Sequence, residues 1–462
     1  MKPIRVTLRL QASRRCFSST PTRREIRDIN ELPARIHPSY IETRHNDLLS
    51  LQWPSPPRNI LLTKKDKSPH VTASLLEYAQ HIQSTYPGVN ILLERHTAEE
   101  VHTSLPFPIY TGSPSLFQAK VDLVSTLGGD GTILHASSLF ATTRRVPPVL
   151  SFSMGTLGFL GEWKFKEYKR AFREVYMSGA SDAYSSTHGE APTSLSSSGD
   201  QGGAEKATTT GWSSLRGKSM GSSRGARVLL RNRLKISLHD PSGSRLSSAS
   251  STKSLTPPAL DANNSEPHPQ EFSPETDLYA MNELLLHRGS SPHLTHITIS
   301  ISGRPLTTAI ADGMIVSTPT GSTAYSLSSG GSIVHPLVSS LLLTPVCPRS
   351  LSFRPLVLPA NTAVSLRLEE GTRGGRVELS VDGVRRPEGV GVGMEVRVCG
   401  EEIRGRGRRS VGSDGEEEEW GTGGVPSVVR AAVGGGEDED HWVGGLNGLL
   451  KFNYPFGEEE GV

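Results

Sequence analysis

The stretch Val121-Asp122-Leu123-Val124-Ser125-Thr126-Leu127-Gly128-Gly129-Asp130-Gly131-Thr132 runs straight into Ile133 to Phe140, so a strand-like apolar run meets a helical one through a glycine turn. Strand, glycine loop and helix start in that order make a natural anion site. Glycines admit φ > 0 and let a phosphate approach backbone N–H groups, and a helix N-terminus adds positive potential. The turn lacks the Lys-Ser/Thr ending of a Walker A loop. Read for structure alone, Asp130 caps the helix and the glycines form a tight turn. Read for chemistry, Asp130 is a general base that takes a proton from an attacking hydroxyl, while the backbone of Gly128, Gly129, Gly131 and Thr132 and a magnesium ion hold a triphosphate.

Outward from this turn, the alternation of elements places the fold in the α/β class on its N-terminal side. Asn59-Ile60-Leu61-Leu62 is a short apolar run that predicts a buried strand, 71–86 has helical spacing through Leu75, Ala79 and Ile82, and 89–93 is strand-like again. The segment 148–152 adds a further strand ending near glycine. Downstream the pattern changes to period two, at 226–238, 296–301, 364–368 and 377–381, which predicts a mainly-β C-terminal domain. Three stretches rich in Ser, Gly, Thr or acidic residues are too poor in apolar side chains to offset their ordering entropy.

The resulting division is a transit peptide and linker over 1–40, an α/β nucleotide-binding domain over 41–177, and a disordered Ser/Gly-rich insertion over 178–223. A β-rich domain follows over 224–399, itself interrupted by a disordered insertion at 241–274, then a low-complexity acidic segment over 400–440. The tail 441–462 carries Trp442, Leu446, Leu449, Leu450, Phe452 and Tyr454, too much apolar surface to leave in water, and is expected to pack back on the first domain.

Composition narrows the function classes. With a net charge of +2 over 462 residues there is no global basic field to draw the chain to nucleic acid or an anionic membrane, and no apolar run approaches the roughly 18 residues of a membrane span. The three cysteines, Cys16, Cys347 and Cys399, form no C-x-x-C, and the histidines show no H-E-x-x-H, which argues against a disulfide framework or a structural zinc site. The first 24 residues hold Lys2, Arg5, Arg9, Arg14, Arg15, Arg23 and Arg24 and no acid, the chemistry of a mitochondrial presequence, so the matrix is the expected location.

Gly-Gly-Asp-Gly-Thr is a signature shared by NAD kinases, phosphofructokinases and the diacylglycerol and sphingosine kinases. The stretch Ala311-Asp312-Gly313-Met314-Ile315-Val316-Ser317-Thr318-Pro319-Thr320-Gly321-Ser322-Thr323-Ala324-Tyr325-Ser326 resembles the NAD kinase motif over its full length. Asn282-Glu283 upstream, and Cys347 to Pro355 and Val381-Asp382-Gly383 downstream, extend the match in order. The chain is thereby similar to the NAD kinase family, and its N-terminus looks most like the fungal mitochondrial NADH kinases. The resemblance implies an α/β domain joined to a β-sandwich, with the site in the cleft between them. It implies Asp130 as catalytic base, Asn282 and Glu283 on nucleotide hydroxyls, and Asp312, Thr323, Ala324, Tyr325 and Ser328 lining the site. It also implies ATP with magnesium and NAD or NADH as substrates, no tightly bound cofactor, and a homo-oligomer, dimer or tetramer.

The residues themselves allow two readings at most of these places. Asn282 offers donor and acceptor and Glu283 accepts only, which suits a pair of ribose hydroxyls or a hydrogen-bonded loop pair. Thr320, Gly321, Ser322 and Thr323 suit a helix entry or a nucleotide contact, Tyr325 a core position or a ring stack, and Asp382 a hairpin turn or a ligand contact. Ser153 and Arg349 depart from the family pattern, where many members have Asn and His. A lipid or sugar kinase on the same glycine loop, and a catalytically silent dinucleotide-binding protein, are the competing functions. Nothing in the sequence separates NAD from NADH.

Overall fold

The computed structural model describes residues 25–42, 48–155, 158–179, 225–246, 277–403, 423–430 and 446. The expected presequence, most of both Ser-rich insertions and, apart from Leu446, the apolar tail lie outside the described residues.

The N-terminal unit is a mixed sheet. Its strands are β1 (Ile26–Asp28), β2 (Ser39–Glu42), β3 (Leu49–Gln52), β4 (Asn59–Lys64), β5 (Asn90–Leu93), β6 (Ile109–Thr111), β7 (Leu123–Gly128), β8 (Val149–Ser153), the short β9 (Trp163–Lys164) and β10 (Arg227–Arg231). β4 and β7 are buried at every position, as parallel strands covered on both faces must be, so their apolar residues, Ile60 to Leu62 and Leu123 to Val124, are consecutive rather than alternating. Helix α1 (Pro69–Thr85) opens with proline at its first turn and buries Val71, Leu75, Tyr78, Ala79 and Ile82 along one stripe. Helix α2 (Arg95–Val101) follows β5, α3 (Pro114–Lys120) follows β6, α4 (Asp130–Ser138) follows β7, and α5 (Tyr168–Tyr176) closes the unit. The parallel strands lie in the order β1-β6-β5-β4-β7-β8. The order reverses between β4 and β7, so the crevice at their carboxyl ends, where the glycine turn lies, is the topological switch point.

The C-terminal unit is a β-sandwich. One sheet contains β11 (Leu234–His239), β12 (Arg245–Leu246), β13 (Leu278–Ala280), β15 (Thr295–Ile301), β16 (Arg304–Ala311), β20 (Val364–Leu368) and β23 (Glu395–Gly400). The other contains β14 (Glu283–His287), β17 (Gly313–Ser317), β18 (Ser340–Val346), β19 (Leu356–Pro359), β21 (Arg376–Val381) and β22 (Val384–Gly391). Ile236, Ile297, Ile299 and Leu366 of the first sheet meet Leu284, Leu286, Met314, Val316, Leu343 and Leu379 of the second in one core, and the period-two alternation of β15 is the sequence trace of that arrangement.

The boundaries differ from the expected ones at four places. Residues 25–40, assigned to a leader and linker, form part of the sheet: β1 pairs with β6, and Ile29 and Leu32 are buried. Asp122 holds this segment, accepting from the backbone N–H of Ile36 at 2.6 Å, Arg58 at 2.7 Å and Asn59 at 2.9 Å. β10, expected to open the second domain, belongs to the first sheet. Pro241 to Leu246, expected to be disordered, make a hairpin because Asp240 accepts from the backbone N–H of Ser242 and Ser244, both at 2.9 Å. Finally, β24 (Val425–Val429), inside the expected low-complexity segment, is buried throughout and lies between β8 and β10, parallel to the one and antiparallel to the other.

The two units are joined by Arg233. Its guanidinium makes two 2.8 Å bonds with Glu401, donates to the carbonyls of Phe140 at 3.2 Å and Thr143 at 2.9 Å, and lies 4.3 Å from the centre of the Tyr279 ring. Arg233, Tyr279 and Glu401 come from the sandwich side, Phe140 and Thr143 from the turn that follows α4.

A chain starting at residue 41 should unfold well below one starting at residue 25. Loss of buried Ile29 and Leu32 removes roughly 1.5–3 kcal/mol each, or about 6–20 °C in thermal midpoint, which differential scanning calorimetry of the two would read.

Candidate active site

The glycine turn leaves β7 at Gly128 and enters α4 at Asp130, with Gly129 in extended conformation at the N-cap (φ −107°, ψ −168°). None of Gly128, Gly129 and Gly131 adopts a positive φ, so backbone freedom is not what selects them. Gly128 is required by packing, since a Cβ there would lie 2.1 Å from Thr132 Oγ1. At Gly129 and Gly131 a Cβ would meet no protein atom within 4 Å, so open space lies over the turn where a ligand can approach the backbone.

Asp130 does not cap the helix. Its Oδ2 accepts from Phe159 N at 2.9 Å and its Oδ1 from Leu160 N at 3.1 Å, and a Cβ on Gly158 would stand 2.2 Å from Oδ1. Gly158 is therefore what lets the following turn close on the carboxylate. One accepted bond per oxygen leaves lone pairs on both. Asp130 is held in place and still able to take a proton.

On the sandwich side, Asn282 sits in the turn between β13 and β14, Glu283 opens β14, and Asp382 organises that turn. Asp382 has φ +49°, and its carboxylate accepts from three successive N–H groups: Met281 at 2.7 Å, Asn282 at 2.7 Å and Glu283 at 3.1 Å. Oδ1 accepts two of these bonds and Oδ2 one, so Asp382 supports the turn that carries Asn282. Two of the oxygens it presents are open: Asn282 Oδ1 and Glu283 Oε2 are buried without a hydrogen-bond partner among the described residues. Buried polar groups left open in this way call for a ligand that completes them. Burial first, and the neighbouring Asp382 second, push the Glu283 carboxyl up to about 7.

The stretch 318–328 backs this turn. Thr318 donates its backbone N–H to Asn282 O at 2.9 Å and its hydroxyl to Met281 O at 2.6 Å. Gly321 allows the contact, because a Cβ there would lie 2.2 Å from Asn282 O. Thr320, Gly321 and Ser322 are buried, and Ser322 Oγ donates to Pro319 O and accepts from Val334 N, so these three support the site from behind. Thr323 and Ala324 are half-buried, and Tyr325 and Ser328 are exposed with their side chains available. Asp312 stands apart: β17 separates it from Ser317, roughly 16 Å at about 3.3 Å per residue, and it pairs with Arg288 at 2.6 Å. Within this chain it does not join the other site residues.

The two halves meet through Met281, which packs with Ile133, Leu160 and Val425 in one apolar cluster. Met281 directly precedes Asn282, and Leu160 is a donor to Asp130, so one apolar cluster brings the glycine turn and the Asn282-Glu283 pair to the same junction of the two units. Gly158, Thr318 and Met281 had no assigned role in the sequence reading. The glycine-rich run after β8 was the signal for the first, and the motif around Thr318 for the second.

Comparison with known proteins follows the same division. Residues 77–180 match the ATP-NAD kinase N-terminal domain and residues 281–402 the ATP-NAD kinase C-terminal domain. The chain is 34% identical over 450 residues to the mitochondrial NADH kinase of Saccharomyces cerevisiae, covering 94% of this chain and 89% of the relative. It is 34% identical over 442 residues to the mitochondrial NADH kinase of Schizosaccharomyces pombe, covering 94% and 86%. The crystal structure of yeast NADH kinase complexed with NADH has a TM-score of 0.67 and 32% identity, covering 94% of this chain and 98% of that one. With its glycine turn, its open Asn282-Glu283 pair and relatives matched over nearly their whole length, the chain belongs to the ATP-NAD kinase family.

Proposed function

We propose that this NAD(H) kinase transfers the γ-phosphoryl group of ATP to the 2′-hydroxyl of the adenosine ribose of NAD or NADH, with Asp130 as the base. The observation that carries the assignment of roles is the pairing of open space over Gly129 and Gly131 with a carboxylate fixed beside it by two backbone N–H groups. The 2′-hydroxyl gives its proton to Asp130 as its oxygen bonds to the γ-phosphorus, and the bond to the β–γ bridging oxygen breaks to release ADP. Phosphoryl transfer depends mainly on positioning and charge stabilisation, which the fixed carboxylate and the N-terminus of α4 supply. Magnesium arrives as part of the ATP complex. Asn282 Oδ1 and Glu283 Oε2 complete their hydrogen bonding on ribose hydroxyls, and Tyr325 offers a ring face to the base or the nicotinamide.

The names of the two fungal relatives and the arginine-rich first 24 residues support a mitochondrial location, which we place in the matrix. We also expect a homo-oligomer. Among the described residues no helix is long and apolar enough to cross a membrane.

With protein starting at residue 25, magnesium-ATP and either NAD or NADH, chromatography should detect NADP or NADPH, and the ratio of the two rates gives the preferred substrate. Asp130→Asn should lower kcat by about 10²–10⁴ with little change in KM. An Asp130→Asn enzyme of unchanged kcat would remove Asp130 as the base. Asn282→Ala should raise KM for the dinucleotide about tenfold and leave KM for ATP alone; unchanged kinetics would favour the lipid or sugar kinase reading.

Glu283→Gln separates binding from stability. The folded state holds this carboxyl protonated up to about 7 against an ordinary value of 4.5, so its contribution to stability is present below 4.5 and is lost as pH rises through 7. The variant should therefore have a higher thermal midpoint than the parent at pH 8 and an equal one at pH 4.5, while losing dinucleotide affinity. A lower midpoint at pH 8 would show that Glu283 carries a structural load.

A further inference from the structure

β4 ends on two consecutive lysines that the fold uses in opposite ways. Successive side chains of a strand point to opposite faces of its sheet. Ile60 and Leu62 pack on the face covered by α1 and α2, and Leu61 on the face covered by α4. Lys64 therefore falls on the first face, where it is buried and its Nζ pairs with Glu100 of α2 at 2.9 Å. Lys65 falls on the second, and its backbone N–H extends the ladder by donating to Leu127 O at 2.9 Å.

That places Lys65 at the glycine turn. The Cβ that Gly128 lacks would lie 3.3 Å from Lys65 Cβ and 2.1 Å from Thr132 Oγ1, so the stem of the lysine and the first turn of α4 both flank Gly128. Lys65 is exposed and has no ion-pair or side-chain hydrogen-bond partner among the described residues. The carboxylates of the adjoining loops are turned elsewhere, Asp66 to His96 at 3.1 Å and Glu94 to His135 at 2.9 Å. One pleat inward on the same face, Thr63 and Thr126 stand opposite one another in the β4–β7 ladder, both buried with hydroxyls that have no partner among the described residues. This end of the sheet is thus polar where an α/β core is ordinarily apolar, and it adjoins the turn whose Gly129 and Gly131 face open space.

A triphosphate held at that turn needs more positive charge than backbone N–H groups and a helix N-terminus supply, and the loop carries no Walker lysine. Protein kinases meet the same need with a lysine from a neighbouring strand. We propose that Lys65 is that cation here: its ammonium, on a flexible four-carbon stem, reaches over the glycine turn to the terminal phosphates of ATP and offsets the charge that the β-phosphate gains as its bond to the γ-phosphorus breaks. The inference rests on the kinase reading above. It gives the two lysines distinct duties, Lys64 in holding α2 to the sheet and Lys65 in the reaction.

The test compares the parent, Lys65→Met, Lys65→Arg and Lys67→Met, all as the full chain, in NADP(H) formation at varied ATP and dinucleotide and in thermal midpoint. Lys65→Met should lower kcat/KM for ATP about a hundredfold and keep KM for the dinucleotide within about threefold. Its midpoint should stay within about 2 °C of the parent, as befits an exposed side chain. Lys65→Arg keeps the charge and should recover at least about tenfold of the loss. Lys67 is exposed in the turn after β4, so Lys67→Met measures the effect of a lost surface charge alone and should stay within about threefold of the parent. Parental kcat/KM for ATP in Lys65→Met overturns the proposal, as does an equal loss in Lys67→Met or in Lys65→Arg. A lowered midpoint with KM for both substrates disturbed alike would mark Lys65 as structural and overturn it too. A parent that forms no product would instead refute the kinase reading itself.

Discussion

The contact between Arg233 and Glu401 governs the molecule, because it decides how the two units stand to one another. Both side chains are 1% exposed. A buried pair of this kind adds little net stability against an apolar substitute, but removal of one partner strands the other and costs about 3–5 kcal/mol. What it adds is geometry. The remaining donors of Arg233 reach carbonyls in the turn that follows α4, and the ring of Tyr279 lies across the guanidinium. Tyr279 is in the strand that leads to Asn282, and α4 is the helix that starts at Asp130. A cleft made from two units needs such a fixed hinge-free joint, since a base displaced by an ångström loses much of its effect.

Carboxylates that collect backbone N–H groups recur through the structure and perform the local positioning. Asp122 gathers Ile36, Arg58 and Asn59; Asp130 gathers Phe159 and Leu160; Asp382 gathers Met281, Asn282 and Glu283. Each joins segments distant in sequence, and each charge-assisted bond is stronger than its neutral counterpart. Glu283 shows the opposite condition, a buried carboxyl with an unmet oxygen, held at a cost to stability that a bound hydroxyl would relieve.

Much of this was legible in the sequence and some of it was not, for physical reasons. β4, β7, α1 and the glycine turn are local patterns of apolar period and turn chemistry, and the alternation in β15 and β21 announces the sandwich. Asn282, Glu283 and Asp130 were recognisable as chemistry. Sheet order is not a local property, so β1, with three residues, and β24, with five after a glycine-rich run, gave no signal of their own. β10 alternates as a sandwich strand would, and only its partners reveal which sheet it joins. Asp312 is contiguous with the motif in sequence, yet within one chain an extended strand sets it at the other end of β17 from the turn. That Asp382 would gather three successive backbone N–H groups no spacing argument could foresee.

The position of β24 sets an order in time. During synthesis β8 and β10 emerge long before the strand that lies between them, so the N-terminal sheet waits with two open edges until the ribosome has made residue 429. Unpaired edges are templates for pairing with other chains, and contacts so distant in sequence are slow to form. The nascent protein is thus exposed to aggregation for as long as β24 is unmade. A chain made only as far as β23 also lacks Val425 in the apolar cluster beside Asp130, so competence appears only when β24 is in place.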